Sequence, residues 1–422
     1  MEELFVAITE ANYSGNKGAA AILQSSITQL RDIYGEKIHF SLISVWPDED
    51  RKLIPGDFVE VVPAQAWKLV FVAFPLSILY WVFRWCNPIC RLLTANAVLR
   101  AYSTTDLVLD EAGVSFVDSR GFVMNTFAFI CMAIPLLMGK PVIKYSQALG
   151  SFKKIANRIQ AKIILPHIRM ILARGAITKA YLADIDIADN VRICADGVFS
   201  LKDDPAILRS VDEICAQDPF FESDKIVGVS PSTVVAKKCR KKNINYVHVM
   251  TEFVEYLVGK GYPVLIFANT AREHTDETRN NDLIICRRIF DNCKDRQQIR
   301  YYHREMKPEE ILSFVGKCRF VVASRFHAMI FSLIKRVPVM LIGWSHKYQE
   351  VLDDFELGKY ATDYSELSCE RMIEGFSLLV ENEHEIRSKI ETHYDSVMAS
   401  SYQNIAFVSE ELDRIIERKR DE

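Results

Sequence analysis

The residues best suited to chemistry in this chain stand at the ends of two apolar runs. Arg319-Phe-Val-Val-Ala ends in Ser324, Arg325 and His327, just before a helical pattern, and Pro338-Val-Met-Leu-Ile-Gly-Trp leads into Ser345, His346 and Lys347. Two such strands side by side would deliver cationic and titratable groups to one sheet edge, where the ligands of doubly wound sheets lie. The set suits a small substrate with several negative charges, since Arg offers a planar fork and Lys a point charge. His327 adds a group that exchanges protons near neutrality, its ordinary pKa being about 6.5. A plainer reading makes Arg325 and His327 helix caps and leaves Lys347 solvated. One residue would fit that reading; three at adjacent strand ends fit it poorly.

Near the N-terminus, the apolar run 4–9 leads into Asn12-Tyr-Ser-Gly-Asn-Lys-Gly18 and then a helical pattern over 18–33. A turn that opens a helix presents unpaired backbone N–H groups, so Gly15, Asn16, Lys17 and Gly18 form a candidate anion site. The spacing matches neither G-x-x-x-x-G-K-[ST] nor G-x-G-x-x-G, and the glycines also suit a simple tight turn.

The elements that must position these groups read as α/β. Near-continuous Val/Ile/Leu runs predict buried parallel strands at 4–9, 38–44, 58–62, 106–110, 141–146, 168–173 and 191–195. A second set follows at 225–230, 262–268, 299–303, 319–323 and 338–342. At 422 residues with 49% hydrophobic content, the chain suits two domains rather than one. The expected division is 1–200 as an N-terminal Rossmann-like domain, 201–224 as linker, 225–369 as a C-terminal Rossmann-like domain and 370–422 as helices. Two such domains are expected to face each other across a cleft.

A formal charge of −3 gives no footprint for nucleic acid. The ten cysteines form no C-x-x-C pair, and no metal site is expected. Thiols set among apolar residues, and an N-terminus without a basic leader segment, point to a cytoplasmic location. Two apolar stretches, 69–83 and 122–138, fall short of the roughly 20 residues that cross a bilayer. Both read as buried helices. For the first, an alternative is peripheral contact of 69–91 with the inner face of a membrane, because Trp81, Trp85, Arg84 and Arg91 supply aromatic and basic anchors.

The block Ser324-Arg-Phe-His-Ala-Met-Ile330, with Pro338 and Trp344-Ser-His-Lys347, resembles the signature of the polysaccharide pyruvyl transferase family. Gly15-Asn-Lys-Gly18, Tyr145-Ser-Gln147-Ala-Leu-Gly150, Ile171-Leu-Ala-Arg174 and Ala195-Asp196-Gly are similar to further family elements, in the same order. The resemblance implies a variant of the GT-B architecture. It also implies transfer of the pyruvyl group of phosphoenolpyruvate, without a cofactor, to a sugar of a surface polysaccharide or its lipid-linked precursor, forming a ketal.

On that reading His327 is catalytic, while Arg174, Arg325 and Lys347 bind the donor. The acceptor is expected on the N-terminal side, near Glu111, Gln147, Asp196 and the Gly15–Gly18 turn. Ala19, Glu111-Ala112-Gly113, Ser151 and Gly175 depart from the family pattern. Two alternatives stand beside the main one: a nucleotide-sugar glycosyltransferase, which the same architecture would serve, and, given these departures, a catalytically silent glycan-binding relative.

Overall fold

The computed structural model describes residues 3–273, 281–343 and 346–421, and the side chains of all of these except His346 and Lys347. The chain divides into two compact units. The first comprises the chain through Ser14, Ile22–Ser200 and the chain from Ala399; the second comprises Gly15–Ala21 and Leu201–Met398.

The first unit carries seven strands: β1 Leu4–Thr9, β2 Ile38–Ser44, β3 Val59–Pro63, β4 Leu107–Asp110, β5 Val142–Gln147, β6 Met170–Arg174 and β7 Val191–Cys194. They lie side by side in the order β3-β2-β1-β4-β5-β6-β7, and every pairing is parallel. The second unit holds β8 Val227–Ser230, β9 Val264–Ile266, β10 Ile299–Tyr301, β11 Phe320–Ala323, β12 Val339–Gly343 and β13 Ala361–Asp363. Their order is β10-β9-β8-β11-β12-β13, again all parallel. Each unit is therefore a doubly wound sheet with one place where strand order reverses, at β1/β4 and at β8/β11.

These strands follow from sequence patterning. All residues of β4, β5, β8 and β11 are buried, as expected of runs covered on both faces by crossover helices. Burying a Val, Leu or Ile side chain in such a position contributes about 1.5–3 kcal/mol. The twelve expected strands all form, with edges shifted by a few residues at most. Patterning missed β13, which is only half-buried, and a two-residue antiparallel ladder of Gly15–Asn16 with Thr270–Ala271 in the second unit.

Three expectations change. Segment 201–224 is no irregular linker: Asp204 caps a helix, Pro205–Ala216, through its side chain, and a turn follows at Pro219–Glu222. Residues from Ala399 belong with the first unit, and Gly15–Ala21 with the second. The apolar stretches are not simply core. Along 66–82, Leu69, Ala73 and Ser77 are buried at intervals of four, a stripe too narrow to cover the helix, and most of its other residues are exposed. In the second stretch the core reading holds for Ala128–Pro135, whereas Phe122 and Val123 are exposed. With its leading turn, that element runs Asp118–Leu137, long and apolar enough to cross a membrane by length and composition, with under half of its most apolar stretch buried.

Candidate functional site

In the second unit, β11 ends at Ala323 and Ser324, whose N–H donates to the Ser230 carbonyl at the end of β8 (2.9 Å). The strands part here, at the reversal of strand order, and the helix Phe326–Ile334 begins. Arg325 and His327 thus occupy the position that patterning predicted for them. Arg325 presents its fork to Asp282: Nε and Nη2 donate to the two carboxylate oxygens at 2.7 and 2.6 Å. Asp282 is fully buried, and it also accepts from the N–H and hydroxyl of Thr233 at 2.9 and 3.0 Å. Burial opposes the charge on Arg325, but the attraction of Asp282 outweighs it and holds the guanidinium pKa above its ordinary value. Nearby, Tyr246 and Ser324 share a hydroxyl–hydroxyl bond of 2.7 Å.

His327 lies in the first turn of that helix, 8% exposed, its ring edge-on to Phe326 at 5.0 Å. Its other face meets the N-terminal turn. A Cβ placed on Gly18 would stand 1.7 Å from Nδ1 of His327, so only glycine permits this approach. Arg272 covers the same turn three residues earlier, its Nη2 2.9 Å from where a Cβ of Gly15 would be. Gly15 also has φ 75°, which favours glycine on backbone grounds alone.

The turn expected to bind an anion is already satisfied from within the second unit. Gly15 N–H donates to Glu305 (3.1 Å), Gly18 N–H to Asn16 Oδ1 (3.1 Å), and the buried Lys17 ammonium pairs with Glu305. Asp282, Arg272, Glu305, Thr233 and Tyr246 were not singled out from sequence. The one usable signal was the polar run Asn269-Thr-Ala-Arg272, which follows β9 at a strand end. Trp344 and Ser345, and the side chains of His346 and Lys347, lie outside the described residues.

The first unit gathers a separate group at the carboxyl ends of its own strands. Arg174 ends β6 and is 3% exposed; it pairs with Asp196 at 2.8 Å and donates from Nη2 to the Ser146 carbonyl at 2.7 Å. Ser146 sits at φ 49°, a left-handed conformation that turns this carbonyl toward Arg174, while its hydroxyl accepts from Gly197 N–H at 2.8 Å. Gln147 is locked by Ser115, whose hydroxyl donates to Oε1 (2.7 Å), and by its own donation to the Asp110 carbonyl (2.6 Å). Structure thus brings Glu111, Gln147, Arg174 and Asp196 onto the ends of four consecutive strands, β4 to β7.

Glu111 follows β4 at the strand-order reversal of this unit. It is fully buried and accepts from the Ser26 hydroxyl at 2.6 Å; its Oε2 has no hydrogen-bond partner among the described residues. Burial pushes its carboxyl up to about 8, against the lowering effect of Ser26, with Asp110 adding to the rise. Glu10, at the end of β1 with φ 58°, is raised to about 7, first by burial and then by Asp110.

The consequence for stability has a definite sign. A carboxyl raised from 4.5 in the unfolded chain to about 8 in the fold stabilises most below pH 4.5, and that contribution is lost as pH rises through about 8. Each unit of displacement corresponds to about 1.4 kcal/mol. Glu111→Gln is therefore expected to gain stability over the parent at about pH 9 and to gain far less at about pH 5. Denaturant titration at the two pH values measures this, and an equal difference at both would contradict a buried neutral carboxyl.

A family model described as polysaccharide pyruvyl transferase matches residues 16–346. The chain is 20% identical over 287 residues to the amylovoran biosynthesis protein AmsJ of Erwinia amylovora, covering 68% of each chain. Among solved structures, it resembles UDP-GlcNAc 2-epimerase of Neisseria meningitidis, with TM-score 0.61 and 13% identity over 96% of this chain and 100% of that one. It also resembles a glycosyltransferase of Rickettsia africae, with TM-score 0.57 and 12% identity over 98% and 99%. At such identities the structural likeness speaks for the GT-B type of fold alone.

Proposed function

The chain belongs to the polysaccharide pyruvyl transferase family and is a transferase, and from that premise we propose that it moves the pyruvyl group of phosphoenolpyruvate onto a sugar of a surface polysaccharide or its lipid-linked precursor. One observation carries this reading. Two elements near opposite ends of the family match, Asn16–Gly18 and Ser324–His327, meet in the second unit, with the imidazole of His327 lying on Gly18. Such a contact gives His327 a fixed ring position beside the strand-order reversal, as acid–base work requires.

The chemistry needs few groups. Phosphoenolpyruvate carries a carboxylate and a phosphate whose second pKa is near about 6, so it brings almost three negative charges. Ketal formation places a proton on the methylene carbon, joins one sugar hydroxyl to C2, and closes the ring when a second hydroxyl displaces phosphate. His327 is the proton carrier in this scheme. Arg325, set rigidly by Asp282, and Lys347 hold donor charge. Arg272 belongs with them by position.

Arg174, committed to Asp196 and Ser146, acts at the donor in this scheme, and Glu111 and Gln147 serve the acceptor's hydroxyls. Ten free thiols accord with a cytoplasmic setting. A second reading, a nucleotide-sugar glycosyltransferase, rests on the shared GT-B type of fold alone.

Incubation with phosphoenolpyruvate, and separately with UDP-sugars, in the presence of a glycan acceptor separates the two. Acceptor-dependent release of phosphate, with pyruvylated glycan by mass spectrometry, is the expected result; release of UDP alone would overturn the proposal. Arg174→Lys keeps the charge but loses the fork. It is expected to raise the KM for phosphoenolpyruvate by about tenfold or more, with the fold retained. An unchanged KM removes Arg174 from the donor site.

A further inference from the structure

The first unit exposes an apolar face that the reaction does not use. Helix 66–82, with the residues that follow it, leaves Trp67, Phe71, Ile78, Leu79, Trp81, Val82 and Trp85 in solvent, Phe71 at 75% and Trp85 at 82% exposure. The helix Gly121–Leu137 packs against it and adds Phe122 and Val123 at its solvent end. The helix Ile155–Ile164, packed against that one in turn, exposes Ile155, Ile159 and Ile163, an apolar stripe at intervals of four on its solvent side. Ile78, Trp81, Phe129, Leu136 and Ile163 line one groove of about 940 Å³ between the three helices, closed on one side by Glu411, Ile415 and Arg418 of the C-terminal helix Glu383–Asp421. A soluble surface seldom leaves so much contiguous apolar area uncovered.

Charge says what covers it. Residues 61–105 and 119–183 contain no Asp or Glu, although they carry fourteen Lys and Arg, in a chain whose net charge is −3. Several of these cations border the face. Lys68 lies over Trp67 at 5.6 Å, and Arg84 over Trp85 at 5.3 Å. Lys153, Lys154 and Arg158 are exposed beside the isoleucine stripe. Acid near the face comes from elsewhere in the chain and is already engaged: Asp186 pairs with Lys162 (2.8 Å), Glu411 with Arg169 (2.9 Å), and Asp118 accepts from the backbone of Lys153 and Lys154.

A second copy of this chain is a poor occupant, because a two-fold contact would set these cations against one another. Indole rings, aliphatic side chains and a one-signed basic border together match the boundary layer of an anionic bilayer.

We propose that this three-helix face of the first unit docks the protein on an anionic lipid surface, without spanning it. The proposal does not rest on the reaction assigned above, and either can fail alone.

The test uses the full chain with vesicles of phosphatidylcholine alone, or of phosphatidylcholine mixed with phosphatidylglycerol. Co-sedimentation is expected with the mixed vesicles, about tenfold above the neutral ones and weakened by salt, with a blue shift of Trp emission. Ile155→Ser/Ile159→Ser/Ile163→Ser is expected to lower binding about tenfold. Lys153→Gln/Lys154→Gln/Arg158→Gln is expected to abolish the preference for the anionic lipid. All six positions are exposed, so the fold should survive, which circular dichroism checks. Failure of the parent to bind either vesicle, or binding unmoved by both triple variants, overturns the proposal. So does an oligomer, seen by light scattering, that the serine variant dissolves while vesicles are ignored.

Discussion

Replacing His327 by Gln is expected to lower the rate of pyruvyl transfer by about 10²–10⁴-fold while leaving the thermal midpoint close to the parent's. Glutamine fills much of the imidazole's volume against Gly18 and Phe326 but cannot carry a proton at neutral pH. The ring's position is set by contact with the N-terminal turn, so a second change reaches the same group from the other side. Gly18→Ala places a methyl 1.7 Å from Nδ1 and must displace the imidazole or the turn. Its loss of activity should approach that of His327→Gln although His327 is intact. Rates are read as phosphate released per enzyme with acceptor present, at saturating phosphoenolpyruvate. A His327→Gln enzyme working at the parental rate would remove His327 from the mechanism.

The second large effect concerns stability. Asp282→Ala leaves the mostly buried guanidinium of Arg325 without its carboxylate, and also strands the N–H of Thr233. Removing one partner of a buried pair costs about 3–5 kcal/mol, far more than the pair contributes over an apolar replacement, because the remaining charge has lost its compensation. The double variant Asp282→Ala/Arg325→Met is therefore expected to recover much of that loss, and Asp282→Asn to fall between. Equilibrium denaturation of these proteins together with Arg325→Met, which completes the double-mutant cycle, measures the coupling. If Asp282→Ala is no less stable than the parent, Arg325 is solvated in solution and the pair does not hold the site. Activity should separate from stability here, since the double variant is predicted to fold and yet to bind phosphoenolpyruvate poorly.

Much of this protein is determined locally and so could be read in one dimension. A strand covered on both faces must be apolar at nearly every position, and the runs at 4–9, 38–44 and 319–323 announce themselves for that reason. Motifs at strand ends are local too: Ser324, Arg325 and His327 had to emerge where β11 stops, and β11 does stop there.

Partners across the chain are not local. A mostly buried Arg325 calls for a carboxylate, but 55 Asp and Glu residues offer one, and nothing in the spacing singles out Asp282. The same holds for Lys17, which a linear reading offered to an anion and which the fold gives to Glu305.

Covering is equally non-local. The apolar stretch 69–83 is hydrophobic whether a neighbouring helix or a lipid surface lies against it, and its composition is the same in both cases. Only the packed structure shows that Leu69, Ala73 and Ser77 of that helix are buried and Phe74 and Tyr80 lean on the core, while Trp67, Phe71 and Trp81 stay outside. Hydrophobicity fixes that a surface must be buried; which surface meets it is decided by the arrangement of distant elements, and there Gly18 found His327.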